Sequence, residues 1–199
     1  MFARVVTGEG PIAPDQIEAG IRVFREKTVP MYQELAWFRA AYMLLDRTAG
    51  KGGTVTLWET EENAKAVDAA LAPLTAQVTQ QLNVTQPLKT EIYEAAAEER
   101  GAAAPGAFAR VVRGQVPPER MGERLRLFRE EMVPHLRRAK GFDRIYFLVD
   151  RAQGKTLAIS FWEIAGPPAG EDEARARELA TRHYGTMPQM DLYEVAVRA

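Results

Sequence analysis

Two stretches of the chain, "VFREKTVPMYQELAWFRAAYMLLDR" and "LFREEMVPHLRRAKGFDRIYFLVDR", repeat one pattern. Phe24 aligns with Phe128, and the same offset pairs Pro30 with Pro134, Phe38 with Phe142 and Tyr42 with Tyr146. It continues through Asp46-Arg47 and Asp150-Arg151, Gly50-Lys51 and Gly154-Lys155, and Trp58 and Trp162. Upstream, "FARVV" recurs at Phe2 and Phe108; downstream, Tyr93-Glu94 recurs as Tyr193-Glu194. A period of about a hundred residues is far longer than a solenoid unit, so this is a duplicated domain. We expect one repeat at 1–97, a linker at 98–106 and a second repeat at 107–199, because "AEERGAAAPGA" is small and exposed in character, as linkers are.

Each copy changes its hydrophobic period in the same order. "FARVV" is a short β-rich run, followed by a helical stripe of Ile17, Ile21, Phe24 and Thr28, matched by Met121, Leu125, Phe128 and Met132. Asp15 with Glu18 reads as a capping box, and Pro30 and Pro134 are expected to kink or end the helix. "AAYMLLDR" and "RIYFLVDR" are strands, glycine-bearing turns follow, and "TVTLWE" and "LAISFWE" return. Thr60 should cap a second helix, whose counterpart is "EDEARARELATRHY", and "KTEIYEAA" and "QMDLYEVAV" are the last strands. The order β-α-β-β-α-β is the ferredoxin-like unit, so the class is α+β.

Composition removes several kinds of chemistry. There is no cysteine, hence no disulfide, thiolate nucleophile or cysteine-held metal. The net charge is −1 with acids and bases interspersed, which argues against nucleic acid. No apolar run is long enough to cross a membrane and no signal peptide is apparent, so the expected location is cytoplasmic. The one serine, Ser160, sits inside "LAISFW", not on the exposed turn a hydrolase nucleophile needs. His135 and His183 are too few for a metal site and read as helix-end residues. We expect no cofactor and no metal.

The middle strand explains the duplication. Ile145, Phe147 and Val149 point one way, Tyr146 and Leu148 the other, and both faces are apolar. Two helices cover one face of a four-stranded sheet, and the other needs a further layer, which the second copy can supply. The expected architecture is tandem ferredoxin-like repeats whose antiparallel sheets pack face to face. "KGF" before a strand, the "D-R-x-x-G-K" hairpin and a "W-E" strand end before a helix resemble the dimeric α/β-barrel superfamily, in particular its antibiotic-biosynthesis-monooxygenase-like (ABM) group. The resemblance implies a barrel of two fused copies, able to exist as a monomer. It also raises haem degradation, carried in some relatives by a histidine on the second helix; only His183 stands near that place, and copy 1 has none. Copy 1 departs at Trp37, where the pattern has glycine, as at Gly141.

Alternation places Val55 and Leu57, and Leu157, Ile159 and Phe161, on one face, expected to meet the helices. Thr54, Thr56 and Trp58, and Thr156, Ala158, Ser160 and Trp162, form the mixed face, expected toward the barrel interior or its rim. Arg4 and Arg110 interrupt apolar strands and need partners if buried; Glu94 and Glu194 are the expected ones. Each candidate has a structural and a functional reading. Arg4 and Arg110 are ion pairs or a clamp for an oxyanion. Trp58 and Trp162 are core, or a wall against a flat ligand, and Tyr42 and Tyr146 likewise. The sequence thus supports a small-molecule-binding or structural barrel protein, with a cofactor-independent monooxygenase acting on an aromatic or polyketide-like substrate as the alternative.

Overall fold

A computed structural model describes residues 1–8, 12–81, 88–165, 178–179, 181–182 and 190–199. The first copy contains β1 (Phe2–Gly8), α1 (Pro14–Val23), α2 (Val29–Gln33), β2 (Phe38–Asp46), β3 (Lys51–Trp58), α3 (Glu61–Gln81) and β4 (Leu88–Arg100). The second contains β5 (Phe108–Gln115), α4 (Met121–Leu127), α5 (Val133–Arg138), β6 (Phe142–Asp150), β7 (Lys155–Trp162) and β8 (Met190–Arg198). The second helix expected in copy 2 falls largely outside the described residues, although Glu178, Leu179, Thr181 and Arg182 are helical.

β1 pairs antiparallel with β3 and β4, β2 with β3 and β8, and β7 with β5 and β6, and the hydrogen-bonded order, β1-β3-β2-β8-β5-β7-β6-β4, is that of a closed barrel. The chain divides into two compact units, residues Met1–Glu94 with Glu194–Ala199, and Ala95–Tyr193. β4 and β8 each begin in one unit and finish in the other. In the first unit the tail of β8 lies on β2, pairing Tyr42 with Arg198, and Ala41 and Ala199 exchange backbone bonds of 2.8 and 2.9 Å. β4 runs on to Arg100, into the stretch read from composition as the linker.

The expected hairpins form for the expected reasons. Asp46 accepts bonds from the Thr48 and Ala49 amides at 3.0 and 2.9 Å, and Gly50 takes φ 61°. Asp150 and Gly154, at φ 68°, repeat this in copy 2. Side chains beyond glycine rarely tolerate that backbone. Thr60 caps α3, its Oγ1 accepting from the Asn63 amide at 3.2 Å. The start of α1 differs: Pro14 opens the helix, Gln16 accepts from the Ala13 amide, and Asp15 lies in the first turn. Proline at a first helical position loses no bond, which moves the start upstream.

Pro30 and Pro134 do not end their helices. A single π turn precedes each, Phe24–Thr28 and Phe128–Met132, with the Val29 and Val133 amides bonded five residues back. The extra residue shifts the buried stripe. It continues from Phe24 to Val29 and Tyr32 instead of Thr28, and from Phe128 to Val133 and Leu136 instead of Met132. π turns inside helices recur at functional sites, where they re-aim a side chain.

Each unit buries one helix–sheet core. In the first, Ile17, Ile21, Phe24, Val29 and Tyr32 meet Ala64, Val67 and Leu71 of α3 over Ala41, Leu45 and Trp58. In the second, Met121, Leu125, Phe128, Val133 and Leu136 cover Ile145, Phe147, Val149, Ala158 and Trp162. The expected assignment of faces is therefore reversed: the helices meet the mixed face. Val55 and Leu57, with Ala3, Val5, Tyr42 and Leu44, lie buried on the other face of the first sheet, as do Leu157, Ile159 and Phe161 of the second. The reason is that each indole N–H is satisfied within the face itself, by Thr56 and by Ser160, leaving the indole rings, the largest apolar surfaces available, to be covered by helices.

Candidate functional site

The helix-facing layer of the first unit carries a polar chain of contacts. Trp58, fully buried, donates its Nε1–H to Thr56 Oγ1 at 2.8 Å, and the Thr56 hydroxyl donates to the Arg4 carbonyl at 3.4 Å. β1 and β3 put these residues together through the pairs Phe2–Trp58 and Arg4–Thr56. Arg4 then reaches across to α3, where its Nη2 bonds Asp68 Oδ1. The Arg4 side chain is 11% exposed, that of Asp68 56%. The Arg4 Nε is buried with no hydrogen-bond partner.

Tyr32 closes this layer from α2. Its ring meets Trp58 edge-on with centroids 5.2 Å apart and stacks on Phe38 at 5.7 Å. Trp37 adds a tilted contact to Trp58 at 5.4 Å. Burial pushes the Tyr32 hydroxyl up to about 12; the Arg4 charge acts against this and the Asp68 charge with it. At neutral pH the phenol is a hydrogen-bond donor beside a cation and an anion.

The second unit repeats the frame with other fillings. Trp162 donates to Ser160 Oγ at 2.8 Å, and the Ser160 hydroxyl lies 3.5 Å from the Arg110 carbonyl. Arg110 lies over the Trp162 ring, 3.9 Å from its centroid, and burial pushes its guanidinium down to about 10. Leu136 stands where Tyr32 does, and Gly141 where Trp37 does. A buried Arg124 from α4, with its guanidinium 4.9 Å from the Phe147 centroid, has Gly20 as its counterpart.

Of the six residues singled out by sequence, the structure joins Arg4 with Trp58 and Arg110 with Trp162. It sets Tyr42 and Tyr146 apart, buried on the opposite face of each sheet. There the guanidinium of Arg198 lies over Tyr42 at 5.4 Å, and Arg144 donates to the Tyr146 hydroxyl at 2.7 Å. The expected acidic partner of Arg4 is corrected as well. Asp68 holds Arg4, and Glu194 bonds Arg47 at 2.7 Å, in a surface group that includes Glu18. The carboxylate that reaches the buried cation belongs to α3, whose Ala64, Val67 and Leu71 pack into the same core as Trp58.

Tyr32 and Asp68 were missed by the sequence reading. Tyr32 could be found only by a π turn that adds one to the helical count, and Asp68 is one acid among three on α3, with Glu61 and Glu62. His135 lies half-buried in the last turn of α5, while His183, the residue considered for haem, lies outside the described residues. Among the described residues no group of three or more potential metal ligands comes together.

No family model matches the chain. Two uncharacterized proteins of Mycobacterium tuberculosis, Rv2557 and Rv2558, are 25% and 26% identical over 148 and 184 residues, or 74% and 92% of this chain. The chain spans 65% of the length of the first and 76% of the second. Among solved structures, an anthrone oxidase-like protein superposes with a TM-score of 0.64 at 12% identity, covering 100% of this chain and 92% of its own. A ferredoxin-fold protein of Listeria monocytogenes, related to antibiotic biosynthesis monooxygenases, gives 0.51 at 10% identity, covering 98% and 94%. The fold is ABM-like. In the ABM-like frame seen here, both copies sit in one chain, and no helix among the described residues is long and apolar enough to cross a membrane.

Proposed function

We propose that the first unit is a binding module for a small aromatic anion, taken into the layer between its sheet and α2 and α3. Arg4 meets the acid group, and Trp58 and Tyr32 contact the ring. The observation that carries this is a buried guanidinium with an unused Nε–H, set among aromatic side chains and held by a single half-exposed carboxylate. A buried cation of this kind is costly unless an anion meets it, and the planar fork favours a carboxylate or phenolate. Arg110 with Trp162 forms the related, unequal place in the second unit. Tyr42 and Tyr146 are supporting residues of the opposite faces and leave the ligand set. We infer that the protein acts in the cytoplasm and that, with both copies in one chain, it needs no partner copy to complete the fold.

A second reading, a cofactor-independent monooxygenase, gains support from Asp68. A carboxylate beside an anion-binding arginine can accept a proton from an acidic aromatic C–H or O–H. An anthrone methylene would lose two hydrogens and gain one atom of dioxygen, the other leaving as water. Oxygen uptake with an anthrone, abolished in Asp68→Asn, is the outcome this reading requires.

The binding reading is tested by titrating tryptophan fluorescence with 1-hydroxy-2-naphthoate and with its neutral amide. Saturable quenching by the anion, much weaker with the amide, is expected. Equal response to both, or response to neither, overturns it.

A further inference from the structure

Resting on the reading of the first unit as an anion-binding module, we propose that Asp68 is a built-in substitute for the ligand. It holds Arg4 while the site is empty and is displaced when an aromatic carboxylate binds.

Three observations carry this. First, the two ends of the pair are held differently. Arg4 is fixed inside a strand and nearly buried, so its charge needs an anion at all times. Asp68 flanks the buried stripe of Ala64, Val67 and Leu71 on α3 and is more than half exposed, so water receives its carboxylate if it swings away. Exposed ion pairs contribute little, and this half of the contact is the exposed half. Second, the fit is incomplete. Asp68 uses only the Nη2 arm, while the neighbouring Nε–H is buried without an acceptor. A carboxylate approaching side-on engages Nε and Nη2 together, the two-bond arrangement that a guanidinium favours. Third, the donor that would complete the arrangement is present. Tyr32 is buried with its ring against Trp58 in the same layer, and burial keeps its hydroxyl protonated.

The competition has a functional consequence. Neutral aromatics gain nothing from removing Asp68, so the device filters for acids as well as guarding Arg4. It differs from a proton-accepting role, in which removing the carboxylate leaves affinity largely unchanged.

The test is calorimetric titration of 1-hydroxy-2-naphthoate and its neutral amide into wild type, Asp68→Asn and Arg4→Gln. Asp68→Asn should bind the acid about fivefold more tightly than wild type, the equivalent of losing one exposed pair, with amide affinity unchanged. Arg4→Gln should lose acid binding, and circular dichroism confirms that each variant is folded. Should Arg4→Gln fail to fold, the Nε–H resonance of Arg4 in wild type replaces it: saturating acid should shift it, and no shift overturns the proposal. Equal or weaker acid binding by Asp68→Asn, with binding still dependent on Arg4, removes the displacement and leaves the module standing. No binding of the acid to wild type or Asp68→Asn removes both.

Discussion

The two units share a frame and differ in what fills it. Both pair an arginine of the first strand with the hydroxyl residue that accepts an indole N–H from two positions on, Thr56 in one and Ser160 in the other. In the first, Arg4 is drawn outward to Asp68, and a tyrosine with a raised pKa stands beside them. In the second, Arg110 lies over its tryptophan, and leucine takes the place of the tyrosine. Duplication has thus kept the parts that bury surface and let the polar layer diverge. A cation directed to a half-exposed acid can exchange partners; one stacked on an indole gains cation–π attraction as well.

The largest effects should not distinguish the units. Trp58→Ala and Trp162→Ala should each cost about 3–5 kcal/mol in urea unfolding, since both rings are buried at the centre of their cores. A loss under 1 kcal/mol at Trp58, together with impaired ligand binding, would mean that the ring serves a ligand more than the core. Next come the indole acceptors: Thr56→Val and Ser160→Ala each leave a buried N–H without its bond, at about 1–3 kcal/mol. A much larger cost in only one unit would show that the two frames are not equivalent.

Tyr32→Phe sharpens the comparison through pH. The folded hydroxyl titrates near 12, against 10.0 for an ordinary tyrosine, so its contribution is complete below pH 10 and is lost as pH rises toward 12. Wild type should therefore lose stability across that window relative to Tyr32→Phe, whereas Leu136 gives the second unit no matching effect. Parallel stability curves for wild type and Tyr32→Phe from pH 9 to 12 would contradict the burial of that hydroxyl. The smallest effect belongs to the surface: Arg47→Ala should cost less than either indole-acceptor variant despite its contacts with Glu18 and Glu194, because all three are well exposed. A larger loss would show that this group anchors β8.

Much of the architecture was legible because repeats and periods survive in the residues themselves. The paired "D-R-x-x-G-K" turns, the Thr60 cap and the alternation of β6 all read directly. What was not legible is which sheet face the helices choose. Alternation separates Trp58 from Leu57 but is silent on what covers each, and a tryptophan flanked by threonines and an arginine looks more polar than it is once its N–H is bonded internally. The π turns were hidden for a related reason. Proline at 30 and 134 announces a lost backbone bond, but not that one extra residue in the preceding turn absorbs it and brings Tyr32 inward. Asp68 needed the phase of α3 against the sheet, which a weakly patterned alanine-rich helix does not declare.

The most direct measurement of the central claim, that the units share a frame and the cation of the first holds the ligand, sets Arg4→Gln against Arg110→Gln. Each is titrated with 1-hydroxy-2-naphthoate under the same conditions. The account predicts that binding is lost in Arg4→Gln and kept in Arg110→Gln; loss in Arg110→Gln alone, or no change in either, would contradict it.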